Sequence, residues 1–130
     1  MAHYLDTSAL VKLVIAEPHS DALRTWLRKK VSVPVSSDLA RTELMRAVRR
    51  TAPESAGQAR VVLDSITLIN ITTDICEHAG YLDPTILRSL DAVHLAAALS
   101  LGDDLAAIVS YDDRLAQAAR THGVPVAAPE

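Results

Sequence analysis

The sequence predicts an α/β fold, a mostly parallel sheet flanked by helices in one domain. Three observations carry that expectation. Short strand-like runs alternate with amphipathic helical stretches along the whole chain, the pattern of an α/β domain. The connections are too long for hairpins, and no Asn-Gly or Asp-Gly turn joins two strands, so neighbouring strands run parallel through crossovers. Leu105 to Val109 is an unbroken apolar run, as a strand covered on both faces requires.

Each element follows in order. His3 to Asp6 reads as a first strand, and Ala9 to Val14 as a short helix stopped by Pro18. A helix over Ser20 to Lys30 sets Ala22, Leu23, Trp26 and Leu27 on one face. Val31 to Ser36 is strand-like, and its Pro34 argues for an edge or a short strand. Ser37-Asp38 is the N-cap pair of a helix over Leu39 to Arg50. Pro53 separates it from a helix over Glu54 to Ser65. Thr67 to Ile71 is a strand, and Thr72 or Thr73 caps a helix carrying Ile75, Ala79 and Leu82. Asp83-Pro84 is a turn signal. Leu90 to Leu101 is a helix with Leu90, Val93, Ala97 and Leu101 as its core face, closed by Gly102. After the strand Leu105 to Val109, Asp113 to Thr121 is helical and Val124-Pro125-Val126 is a last short strand.

Composition bounds the class. At 130 residues, 49% of them apolar and 22% charged, the chain is one folded domain over 1–130 rather than a disordered one. One cysteine, Cys76, excludes a disulfide scaffold and a thiolate zinc cage, and fits a reducing cytoplasm. No apolar run approaches about 18 residues, so no membrane span is expected, and the start, Met1-Ala2-His3-Tyr4-Leu5-Asp6, is not a signal peptide. The net charge of −3 is unevenly spread: residues 1–65 hold ten Lys/Arg and seven Asp/Glu, residues 66–130 three and nine. Aromatics at 3% and no Phe weaken any reading that needs platforms for base stacking.

Four acids draw attention by place. Sites in such sheets form at the carboxyl ends of strands, where Asp6-Thr7-Ser8 and Ser110-Tyr111-Asp112-Asp113 fall. Glu43 points along the apolar stripe Ala40, Leu44, Ala47 and Val48, and Asp91 lies in the first turn of its helix. Each has an ordinary reading: Asp6 and Asp112 as helix caps, Glu43 as the partner of a neighbouring Arg, Asp91 as a complement to the helix dipole. His94, inside the same stripe as Val93 and Ala97, reads as a hydrogen-bonded core residue. Together, four carboxylates repel one another unless a cation neutralises them. Oxygen-only donors suit Mg²⁺ or Mn²⁺, and such an ion suits phosphodiester hydrolysis.

Four segments then carry a resemblance: Tyr4-Leu5-Asp6-Thr7-Ser8-Ala9-Leu10-Val11-Lys12-Leu13, Ala40-Arg41-Thr42-Glu43-Leu44-Met45-Arg46-Ala47, Leu90-Asp91-Ala92-Val93-His94-Leu95-Ala96-Ala97-Ala98-Leu99, and Val109-Ser110-Tyr111-Asp112-Asp113-Arg114-Leu115. In this order, across nearly the full length, the chain resembles the PIN-domain proteins, and among them the VapC-type toxins of bacterial toxin–antitoxin pairs. The resemblance implies a parallel-sheet endoribonuclease whose acidic pocket binds Mg²⁺ or Mn²⁺ and whose products carry a 5′-phosphate and a 3′-hydroxyl. Asp6, Glu43, Asp91 and Asp112 match the family's acidic positions, with Asp6 and Asp91 as the firmest ligands. Ser8 and Ser110 match the small hydroxyl positions. Asp112 is chosen over Asp113 because it follows the Ser-Tyr pair; Asp113 then caps the next helix and Arg114 is a phosphate contact. The implied partners are RNA and a VapB-like antitoxin, with a homodimer or toxin–antitoxin hetero-oligomer. The apolar faces around Leu10, Leu13, Trp26 and Leu27 suit an antitoxin helix, although Trp26 fits ordinary core equally well.

Rival readings are weaker. An aspartyl-phosphate domain adds a second acid two residues after the first, where this chain has Ser8. No G-x-G-x-x-G or P-loop occurs among four glycines. A non-catalytic binding or scaffold domain of the same fold is the alternative of another class, and metal-dependent cleavage separates the two.

Overall fold

A computed structural model describes residues 1–130. Strands β1 (Ala2–Leu5), β2 (Val33–Ser37), β3 (Thr67–Ile69), β4 (Leu105–Val109) and β5 (Val126–Ala127) form one sheet in the order β3-β2-β1-β4-β5. Every pairing is parallel. Seven helices connect or follow them: α1 (Thr7–Val14), α2 (Ser20–Lys29), α3 (Asp38–Thr51), α4 (Ala56–Ser65), α5 (Thr73–Tyr81), α6 (Ser89–Leu99) and α7 (Asp113–Thr121). None is long and apolar enough to cross a membrane.

The strand period of two sorts the core into two layers. Tyr4 and Ile108 point to one face of the sheet, where they pack with Ile75 and Ala79 of α5, Leu95 of α6 and Leu115 of α7. Leu5 and Val109, their chain neighbours, point to the other, with Leu10 of α1, Leu23 of α2, Leu44 of α3 and Leu63 of α4. Both faces are therefore covered, which is why β4 reads as apolar throughout. The chain builds outward from β1 to β3, then returns to the other side of β1 for β4 and β5. The strand order reverses between β1 and β4, so their carboxyl ends flank the crevice where such sheets bind ligands.

Several expectations need correction. β2 is an interior strand, not an edge. Pro34 is tolerated because Val33 N–H donates to Met1 C=O of the neighbouring chain segment at 3.0 Å. Strand alternation then turns the Pro34 nitrogen toward β3, whose pairing begins only at Val35. The last strand is Val126–Ala127, because Val124 N–H still closes the turn after α7 on Ala119 C=O at 2.9 Å. In α6, Leu90 is exposed, whereas Ala92 and the run His94 to Ala98 are buried. This helix touches β2, β4, α5 and α7, and small alanines admit such close neighbours where one leucine stripe would not. Leu10 is wholly buried in the core, so it offers no surface to a partner. Gly102 takes φ 56°, a left-handed position that suits glycine after a helix.

Candidate active site

The carboxyl ends of β1 and β4 place the first acids. Asp6 follows β1 and is the N-cap of α1, its Oδ1 accepting from Ala9 N–H at 3.0 Å. Ser8 Oγ donates to the same oxygen at 2.6 Å, and Ser110 Oγ, just past β4, donates to Oδ2 at 2.5 Å. Asp6 is 3% exposed. Burial pushes its carboxyl above the usual range, and the bonds from Ser110, Ser8 and Ala9 only partly offset this. The serines also hold the facing loop: Ser8 Oγ accepts from Tyr111 N–H at 2.9 Å, and Ser110 Oγ from Asp112 N–H at 3.1 Å. The hydroxyls thus stitch the β1–α1 junction to the β4–α7 junction.

Glu43 arrives from α3 half-buried. Thr7 Oγ1 donates to its Oε1 at 2.6 Å, and His94 Nε2 lies 2.6 Å from the same oxygen. A carboxylate only accepts, so Nε2 carries the shared proton. On the other side of the ring, Nδ1 lies 2.8 Å from Tyr4 Oη, which lies 2.9 Å from Ser37 Oγ. Burial pushes the Tyr4 hydroxyl pKa up, so it stays protonated. Burial also pushes the Glu43 carboxyl up, but the bonds from His94 and Thr7 and the charge of Arg88 outweigh this and hold it below the usual range.

Asp91 and Asp112 share one cation. Arg88 Nε lies 2.8 Å from Asp91 Oδ2, and its Nη2 lies 3.1 Å from Asp112 Oδ2. Asp112 Oδ1 meanwhile accepts from Leu115 N–H at 3.0 Å. Asp112, not Asp113, therefore caps α7, so the candidate site acid is also the cap. Ser37 sits at the N-cap position of α3 without a capping bond, its hydroxyl being taken by Tyr4. Arg114 is exposed on α7 beside a hollow of about 450 Å³ that it lines with Arg88, Tyr111, Asp112 and Asp113.

The four acids lie around the carboxyl end of the sheet, with Asp6 held by serines, Glu43 by Thr7 and His94, and Asp91 and Asp112 by Arg88, and no three acidic or imidazole side chains converge closely enough to ligate one ion as they stand. The donor chemistry still suits a hard cation: the oxygens are carboxylate and hydroxyl, and two of the carboxylates already share a positive charge. Sequence reasoning missed Thr7, His94 as the partner of Glu43, and Arg88. Arg88 had a signal, its position three residues before Asp91, where helical neighbours pair. His94 is buried and hydrogen-bonded as expected, but its partner 51 residues away has no trace in local spacing.

Comparison with known proteins identifies the family. The family model for the PIN domain matches residues 3–121. The chain is 46% identical to ribonuclease VapC46 of Mycobacterium tuberculosis strain H37Rv over 128 residues, covering 98% of both chains. It is 42% identical to ribonuclease VapC47 of strain CDC 1551 over 130 residues, covering 97% of this chain and 96% of the other. Among solved structures, VapC20 of M. tuberculosis, described as a sarcin–ricin-loop-cleaving toxin, superposes with a TM-score of 0.76 at 18% identity, covering 89% of this chain and 94% of that one. A toxin–antitoxin complex from Klebsiella pneumoniae gives 0.74 at 22% identity, with 98% of each chain covered. The chain belongs to the PIN-domain family, with the VapC ribonucleases as its relatives.

Proposed function

We propose that the chain is the endoribonuclease toxin of a toxin–antitoxin pair, that it hydrolyses RNA phosphodiester bonds with Mg²⁺ or Mn²⁺, and that Asp6, Glu43, Asp91 and Asp112 hold the ion. The observation that carries the reading is the position of these four acids, from four separate segments, around the carboxyl end of the sheet. Asp6 and Asp91 are the principal ligands, and Glu43 and Asp112 complete the set directly or through water. When bound, such an ion supplies Lewis acidity to a phosphate oxygen and lowers the pKa of nearby water.

The chain's own groups do the rest. Three donors aim both oxygens of Asp6. His94 and Thr7 orient Glu43 and favour its ionised form, ready to accept a proton as water attacks phosphorus. The bond from phosphorus to the 3′-oxygen then breaks, that oxygen takes a proton from solvent water, and the products carry a 5′-phosphate and a 3′-hydroxyl. Arg114, beside Asp112, contacts a phosphate. Arg46 and Arg50 lie three and seven residues after Glu43, on its side of α3, and no acid pairs with them. They carry the RNA strand away from the crevice. A VapB-like antitoxin is the cognate protein partner. Leu13, Trp26 and Leu27, partly buried against the core layer beneath α1 and α2, offer it an apolar seat. The toxin–antitoxin complex among the structural neighbours supports a hetero-oligomer; a homodimer of this chain is the other assembly its family suggests.

The test is cleavage of structured RNA by purified, antitoxin-free protein. Cleavage should need Mg²⁺ or Mn²⁺, stop with EDTA, and fall at least about 100-fold in Asp91→Ala, the scale on which removing one stabilising group at a reacting centre acts. A folded wild-type protein that cuts no RNA under these conditions makes the chain a binding domain instead.

A further inference from the structure

Arg88 precedes α6 in the segment that follows α5, and its side chain is 57% exposed. Its guanidinium joins two acids from different elements, Asp91 of α6 at 2.8 Å and Asp112 at the start of α7 at 3.1 Å. Those side chains are 13% and 29% exposed, so the cation covers the more buried acids from the solvent side. Each carboxylate receives one nitrogen rather than the two-pronged grip that makes arginine pairs strong. Ion pairs as exposed as these are weak. The oxygens engaged, Oδ2 of both residues, are oxygens that a divalent cation would need.

Resting on the metal-dependent reading above, we propose that Arg88 is the resident counter-cation of Asp91 and Asp112. It keeps the two carboxylates together before the divalent ion arrives, yields them on exchange, and so sets the ion concentration at which the site loads. Without the guanidinium the two acids face each other uncompensated, and a small dication of higher charge density gains what Arg88 no longer contests. A residue that merely supported the fold would weaken binding when removed; a competitor strengthens it.

The experiment is Mn²⁺ binding without RNA, measured by the loss of the free-ion signal in electron paramagnetic resonance. Arg88→Gln should bind Mn²⁺ roughly threefold to tenfold more tightly than wild type, the equivalent of two exposed ion pairs. Arg60→Gln removes an equal charge from the exposed face of α4 and should change affinity by less than about twofold. Unchanged or weaker binding by Arg88→Gln overturns the proposal, and so does equal tightening by Arg60→Gln, which would reduce the effect to net charge. Asp91→Asn separates the two levels. If it binds Mn²⁺ as wild type does, the acidic site itself is wrong and Arg88 falls with it. If it abolishes binding while Arg88→Gln changes nothing, only the exchange is wrong.

Discussion

Asp6 shows how one residue serves two demands. As the N-cap of α1 it must present an oxygen to Ala9 N–H, and as a buried carboxylate it must be kept from solvent at an energetic cost. Its folded-state pKa lies above the value in the unfolded chain, because burial outweighs its three hydrogen bonds. In the pH window between those two values the native state binds more protons than the unfolded one, so stability falls as pH rises through it. Above the window the whole cost of holding the anion is present. Asp6→Asn should therefore be more stable than wild type near pH 7, by about 1 kcal/mol or roughly 4 °C in Tm. The advantage should shrink at acid pH, as the wild-type carboxyl takes up its proton in the folded state. Urea melts at neutral and acid pH without divalent ions measure it, and a variant less stable at neutral pH contradicts it. Glu43 has the opposite sign: its carboxyl is held low, and its contribution is lost only as pH falls below the ordinary glutamate range.

At the scale of elements, Ser8 and Ser110 matter more than their size suggests. Each donates to Asp6 and accepts a backbone N–H of the β4–α7 junction. They fix the first turn of α1 against the first turn of α7, and so fix Asp6 relative to Asp112. Ser110 is 1% exposed, so Ser110→Ala leaves Asp6 Oδ2 and Asp112 N–H without this partner. It should cost about 1–3 kcal/mol in denaturant unfolding and move the acid limb of the activity profile to higher pH, since Asp6 loses a bond that favours its anion. An unchanged profile would separate Asp6 from the chemistry. The β2 strand teaches a complementary lesson: a proline that argues for an edge in sequence sits inside the sheet, because pairing on its second side starts one residue later.

Across the whole molecule, charge is arranged as the sequence halves suggest. The basic half contributes α3 with Arg46, Arg49 and Arg50, which together line a surface hollow of about 240 Å³. The acidic half contributes Asp91 and Asp112. A helix that carries Glu43 into the crevice and arginines away from it joins the two. Replacing Arg46 and Arg50 by Gln should lower the salt dependence of single-stranded RNA binding, by about 0.7 in log–log slope for each phosphate that is no longer neutralised. A slope equal to wild type would mean that these arginines are solvated faces and nothing more.

The local signals in the sequence were enough for the fold class and the element order. Hydrophobic periodicity and turn chemistry act over a few residues, and they mark β1, α3, β4 and α7 within a residue or two of their ends. That the strands run parallel is also implied by the long crossovers, but their order is not, and β2 lies inside the sheet. What only the tertiary structure decided are the partners that lie far apart in the chain: His94 with Glu43, Tyr4 with His94, Ser110 with Asp6, and Arg88 with Asp112. It also decided that Leu90 faces solvent while alanines face the core. The reason is physical. Spacing along the chain sets which face of its own element a side chain occupies, but a hydrogen bond or ion pair depends on where a second element brings its atoms, and that is set by packing alone.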